Sequence, residues 1–222
     1  MTLIVYKNGI LAADTRTSVV NRKPDIYTCG HCGEKEKRVM DSGKKLHVFS
    51  ADDPVYFKEQ RVIAVAIAGL AKKTDALVRL LYAKQDIEDV YKHYLEFQDS
   101  PEIGKSSLLI VCENNFFVIN AINRDPLTVE KHPLDENYAL GSGSSGAHWL
   151  HTLHPDLPAE IIINLVMAKE RSVGGNIEFI DINKTPNEIQ TFNKFNSKAL
   201  LTKFVKMAKE NTAEFLASLD KE

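Results

Sequence analysis

The run Val62-Ile-Ala-Val-Ala-Ile67 constrains the fold more than any other segment, because neither face of such a strand would carry a polar residue. A strand with one wet face alternates apolar and polar residues, whereas one covered on both sides reads as continuous apolar sequence. The run is therefore expected to be a central strand with packed material above and below it. Residues 2–6 and 10–13 are short β-rich runs around Asn8-Gly9, a strong hairpin signal. Residues 107–112 and 116–122 form a second such pair around Glu113-Asn114-Asn115, and 45–49, 127–130 and 176–182 add further strands. Helical spacing of apolar residues occurs at 74–84 and 87–97, while 159–170 is apolar nearly all round, as in a helix sandwiched between layers. Residues 198–219 read as an amphipathic C-terminal helix. Strand groups alternate with helix pairs and are joined by hairpins instead of βαβ units. The expectation is an α+β fold with two mainly antiparallel sheets between helix layers. Without repeats or low-complexity linkers, the chain reads as a single domain over 1–222. A long loop or insertion interrupts it at about 17–43.

Charge and cysteine usage narrow the function classes. The net charge is −2, with acidic and basic residues mixed along all 222 positions, so no basic stripe is present for a nucleic-acid partner. Three cysteines are too few for a secreted disulfide framework, which favours a reducing compartment. The opening residues lack the basic and long apolar regions of a signal peptide, and no apolar run approaches the roughly 18–20 residues of a membrane span. A cytoplasmic chain with no membrane partner is expected. His-Glu-x-x-His, Gly-x-Ser-x-Gly and Gly-x-x-x-x-Gly-Lys-Ser/Thr are all absent, which argues against zinc-protease, α/β-hydrolase and P-loop chemistry.

Thr2 becomes N-terminal if Met1 is removed, as its small size invites. Its hydroxyl and the new α-amine then share one residue. The amine, with a reference pKa of about 7.7–8.0, can accept the hydroxyl proton near neutral pH. The stretch Gly9-Ile-Leu-Ala-Ala-Asp-Thr-Arg16, the pair Lys44-Lys45 ahead of a strand, Ile67-Ala-Gly69 ahead of a helix, and Tyr138-Ala-Leu-Gly-Ser-Gly-Ser144 follow in that order. In this order they resemble proteasome β-subunits, N-terminal-nucleophile hydrolases of the threonine-peptidase type, over residues 2 to about 182.

The resemblance implies a four-layer αββα sandwich in which Thr2 is the nucleophile and Asp14 holds Lys45 charged beside it. It makes the Gly69 N–H an oxyanion donor and Ser142 a hydrogen-bonding neighbour of the nucleophile. Glu170 takes the place of the family's Asp, but Val173 stands where a Ser is usual, removing a hydroxyl expected near the α-amine. The charge of Lys45 is expected to matter more for activity than for stability. A peptide or unfolded-protein substrate, homo-oligomeric assembly into a ring or stack, and a possible ATPase unfoldase are further implications. Two alternatives stay open: a silent subunit with a structural or interaction role if Met1 is retained, and an amidohydrolase of the same type acting on a small amide.

Two other features invite metal chemistry. Cys29-Gly-His-Cys32 is half of a zinc knuckle, with His31 or a second subunit needed to complete four ligands. A free-thiol loop is the favoured reading, leaving no cofactor expected apart from zinc at Cys29 and Cys32. His148, His151 and His154 recur every third residue but lack acidic partners at matching spacing, so ordinary helix-surface histidines are expected.

Overall fold

A computed structural model of the chain describes residues 2–18, 27–28, 35–36, 39–40, 43–89, 91, 105–122, 125–170 and 172–192. In chain order, β1 (Leu3–Lys7) and β2 (Ile10–Asp14) precede four two-residue strands, β3 (Thr17–Ser18), β4 (Tyr27–Thr28), β5 (Lys35–Glu36) and β6 (Val39–Met40). Then come β7 (Leu46–Val48), β8 (Tyr56–Phe57), β9 (Gln60–Gly69), helix α1 (Ala71–Tyr82), β10 (Lys105–Cys112), β11 (Asn115–Ile122), β12 (Thr128–Pro133) and β13 (Tyr138–Gly141). Helices α2 (Ser144–Leu153) and α3 (Ala159–Met167) lead to β14 (Ile177–Asp181) and β15 (Gln190–Phe192). The helix expected at 87–97 is described only at 87–89 and 91, which are helical. The one expected at 198–219 lies outside the described residues.

Two larger sheets result, with strand orders β13-β1-β2-β14-β15 and β12-β11-β10-β9-β7, and every described pairing is antiparallel. Both expected hairpins are present, Asn8 and Gly9 taking φ of 50° and 77° at the first turn. The segment at 17–43 is more ordered in pattern than a plain loop: β3 pairs with β6, and β4 with β5. Three strands went unanticipated, β8, β13 and β15.

Side-chain alternation sorts the residues into three cores. Ile4 and Tyr6 of β1 and Leu11 and Ala13 of β2 meet Ala64, Ala66, Ala68, Leu109, Val111, Phe116 and Val118 of the other sheet. Small alanines on β9 opposite large residues on β1 let the sheets interdigitate, as close-packed interiors require. The opposite face of β9, with Val65 and Ile67, packs with Leu77, Val78 and Leu81 of α1. Leu3 and Val5 of β1 pack against Ala147 of α2 and Ile162, Ile163, Leu165 and Val166 of α3. The double burial expected of Val62–Ile67 is thus met by the second sheet on one face and α1 on the other. Among the described residues, helix α3 packs on β1, β2 and β14 with α2 along its flank. Among the described residues, no helix is long and apolar enough to cross a membrane.

Beneath α2, Lys7 is 2% exposed, and its ammonium has no hydrogen-bond partner among the described residues. Burial lowers its pKa, against the pull of Asp156. His151 is not the surface histidine expected. Its Nε2 is buried without a partner, and burial, then the positive Lys7 and His148, push its pKa down to about 4. The sign follows directly. Between about pH 6.5, where an unfolded histidine titrates, and about pH 4, the unfolded chain binds the proton and the folded chain does not. Stability should therefore fall with pH across that window, by at most about 3 kcal/mol from this group. Urea-unfolding midpoints across it should decline for the native chain and decline less steeply for His151→Gln.

Candidate functional site

Asp14, the last residue of β2, is fully buried, as is most of its surroundings. Its Oδ1 accepts the Leu3 N–H at 2.7 Å and the Lys45 ammonium at 2.7 Å, and its Oδ2 accepts the Gly174 N–H at 2.9 Å. A buried carboxylate is tolerable only when its lone pairs are filled in this way. Lys45 itself is 2% exposed, and its carbonyl takes the Ile67 N–H at 2.9 Å, so the approach to β7 holds its backbone against β9. The expectation that Lys45 acts through charge with little effect on stability needs correction, because its ammonium is one half of a buried ion pair. Removing either half of such a pair strands the other.

Thr2, immediately before β1, is 6% exposed. Its N–H donates to Ser142 Oγ at 3.2 Å; with Met1 attached this nitrogen is an amide, and without it the same atom is the α-amine. Ser142 Oγ lies 3.2 Å from the Thr2 carbonyl oxygen and 3.1 Å from Ser172 Oγ. The Ser172 N–H reaches Glu170 Oε1 at 3.0 Å. Hydrogen bonds from the Ser172 hydroxyl and N–H hold the Glu170 carboxyl below the usual range, so it is ionised at neutral pH. The Ser142 hydroxyl donates to the Thr2 carbonyl oxygen, and Ser142 and Ser172 link the Thr2 nitrogen to the Glu170 carboxylate.

Ser172 is the residue that reading the sequence missed. Its hydroxyl, one position before Val173, lies 3.1 Å from Ser142 Oγ, while Val173 is buried against Gly143 in the cluster containing Leu3 and Val166. The signal available was the Ser172-Val173 adjacency itself, but only the turn after α3 decides which of two neighbours faces Ser142.

Two glycines make the close approach possible. Gly141 pairs with Leu3 at φ +102°, and a β-carbon there would collide with the Thr2 carbonyl oxygen. Gly69 ends β9 at φ +112°, where a β-carbon would strike the Lys105 carbonyl oxygen. Any other residue would be strained at these dihedrals even before the collision. Gly69 also stands just before α1, at the positive end of the helix dipole.

Thr2, Gly69 and Ser142 line one cleft of about 400 Å³, together with Ala68, Lys105, Ser107 and residues 138–141. Of the sequence candidates, Asp14 and Lys45 are tied to it through the Leu3 N–H, and Glu170 through Ser172. Cys29, His31 and Cys32 lie outside the described residues. The rings of His148 and His151 sit edge to face at 6.1 Å, and among the described residues no three His, Cys, Asp or Glu side chains cluster as a metal site would.

Asp14→Ala should take a buried ion-pair partner from the Lys45 ammonium and the acceptor from two backbone N–H groups, costing about 3–5 kcal/mol. Lys45→Met should cost a similar amount by stranding the carboxylate. Chemical denaturation of the two variants measures both, and losses below about 1 kcal/mol would mean that the pair is not closed to solvent.

Neither a protein-family model nor a curated protein matches the chain, so the chemistry of this cleft stands on its own residues.

Proposed function

We propose that the chain is a proteasome-β-like N-terminal-nucleophile hydrolase, a threonine peptidase built on a four-layer αββα fold. One observation carries the reading: of the residues chosen from sequence resemblance, Thr2, Gly69 and Ser142 line one cleft, while Asp14 with Lys45 braces Thr2 through the adjoining Leu3 N–H and Glu170 reaches Ser142 through Ser172. Residues more than a hundred positions apart have no local reason to converge in that way.

In this reading, removal of Met1 turns the Thr2 nitrogen into an α-amine. The amine takes the proton of the Thr2 hydroxyl as Oγ1 attacks a peptide carbonyl. The carbonyl oxygen, now anionic, is stabilised by the Gly69 N–H, and collapse expels the amine leaving group, which receives the proton. Water, deprotonated by the same amine, hydrolyses the ester and restores Thr2. The Ser142–Ser172–Glu170 chain orients the amine and holds a negative charge at its far end. The positive charge of Lys45, kept by Asp14, favours the neutral amine and the developing alkoxide. Cytoplasmic residence and assembly into a ring or stack belong to the same proposal; assembly would cover Trp149 and Leu153 of α2, which are 59% and 49% exposed.

Retention of Met1 favours a second reading, in which the amide nitrogen cannot act as a base and the chain serves as a silent structural subunit. Intact mass of the purified protein separates the two. Loss of Met1 is expected, together with cleavage of peptide-amide reporters that Thr2→Ala abolishes. Ser172→Ala should lower kcat by about tenfold to a hundredfold, equivalent to about 1.4–2.7 kcal/mol, by breaking the hydroxyl chain. Turnover by Thr2→Ala equal to that of the native chain would end the proposal.

A further inference from the structure

The cleft carries a charge that the chemistry above does not use. Along β10 the odd-numbered Leu109 and Val111 face the other sheet, whereas Leu108, Ile110 and Cys112 face α1. Lys105 and Ser107 continue the odd-numbered series to the end of the strand, where the inter-sheet space opens into the cleft, and both line it. Ser107 is already engaged, its hydroxyl donating to Asn120 Oδ1 at 2.7 Å. Lys105 is exposed and has no ion-pair partner among the described residues.

Among the described residues, no acidic side chain lines the cleft. Asp14, which bonds the Leu3 N–H beside the cleft residue Thr2, is fully buried and paired with Lys45. The remaining described lining is neutral, and apart from Tyr138 and Leu140 it is small. A lone cation in a concave, low-dielectric setting focuses its field into the cleft instead of losing it to solvent. Its flexible four-carbon stem lets the ammonium follow a carboxylate over several ångströms.

We propose that Lys105 is a specificity-determining residue that pairs with a carboxylate side chain of the bound segment, so that the cleft prefers acidic peptides over neutral and basic ones. The proposal rests on the cleft being the substrate site but not on turnover, so binding tests it separately. End-blocked, fluorescently labelled pentapeptides alternating leucine with glutamate, or with glutamine, are titrated into the full-length Thr2→Ala protein and followed by anisotropy. The glutamate peptide should bind about three- to tenfold tighter at low ionic strength. The preference should shrink as salt screens the pair. Lys105→Gln should abolish it and Lys105→Glu reverse it, both with unchanged melting because the side chain is exposed.

Equal binding of the twin peptides, binding of neither, or a preference that survives Lys105→Gln overturns the proposal. A preference that behaves as expected while the native protein cleaves neither peptide would instead count against the peptidase reading and leave Lys105's role standing.

Discussion

The Asp14 carboxylate is the point on which the rest of the site depends. Three segments distant in sequence meet there: the start of β1 through the Leu3 N–H, the approach to β7 through Lys45, and the turn after α3 through the Gly174 N–H. An ionised carboxylate in a dry interior must fill its lone pairs, so each of the three segments is held where the carboxylate needs a donor. The register of β2 with β14, which opposes Asp14 to Ile177, and the bonds from Thr15 to Asn176 and from Arg16 to Gly174 carry the constraint onward. Thr2, one residue before Leu3, is thereby presented at the surface of a rigid sheet. Rigid support of that kind is what a reacting group needs if its geometry is to be kept within fractions of an ångström.

The cleft exists because the two sheets close at one end and part at the other. At the closed end the rings of Tyr6 and Phe116 lie 4.8 Å apart, His132 stacks on Phe116 at 4.9 Å, and the Tyr6 hydroxyl reaches the Leu134 carbonyl at 3.1 Å. Towards Thr2 the facing residues shrink to Ala68 and Gly69, and the space that large side chains would have filled is left open. The same volume logic that packs the core therefore also locates the site. Gly141 and Gly69 extend it to the backbone, each admitting a neighbouring carbonyl where a β-carbon would not fit.

Much of this was legible beforehand, for identifiable reasons. The Val62–Ile67 run announced a doubly covered strand, and Asn8-Gly9 and Glu113-Asn114-Asn115 announced hairpins, because periodicity and turn chemistry are local properties. β13 was hidden, since Tyr138–Gly141 is short and runs straight into a Gly-Ser segment that reads as a turn; only pairing with β1 makes it a strand. β8 and β15, two and three residues long, carry too few positions for any alternation to register. His151 read as surface because no acidic partners recur at its spacing, whereas in the fold its Nε2 is buried and the charge of Lys7 on β1 acts on it.

At the site the division is similar. Thr2, Asp14, Lys45, Gly69, Ser142 and Glu170 could be singled out through the resemblance of their motifs, in order, to proteasome β-subunits, because motif order is written in the chain. The sequence by itself determined which groups were available, along with the α+β pattern of hairpins and helices that carries them. Only the tertiary structure decided that Asp14 and Lys45 are a buried pair, that Ser172 and not Val173 faces Ser142, and that Lys105 stands in the cleft instead of at a distant sheet end. Those outcomes turn on burial and on which way a side chain points, and both are set by packing between segments thirty or more residues apart.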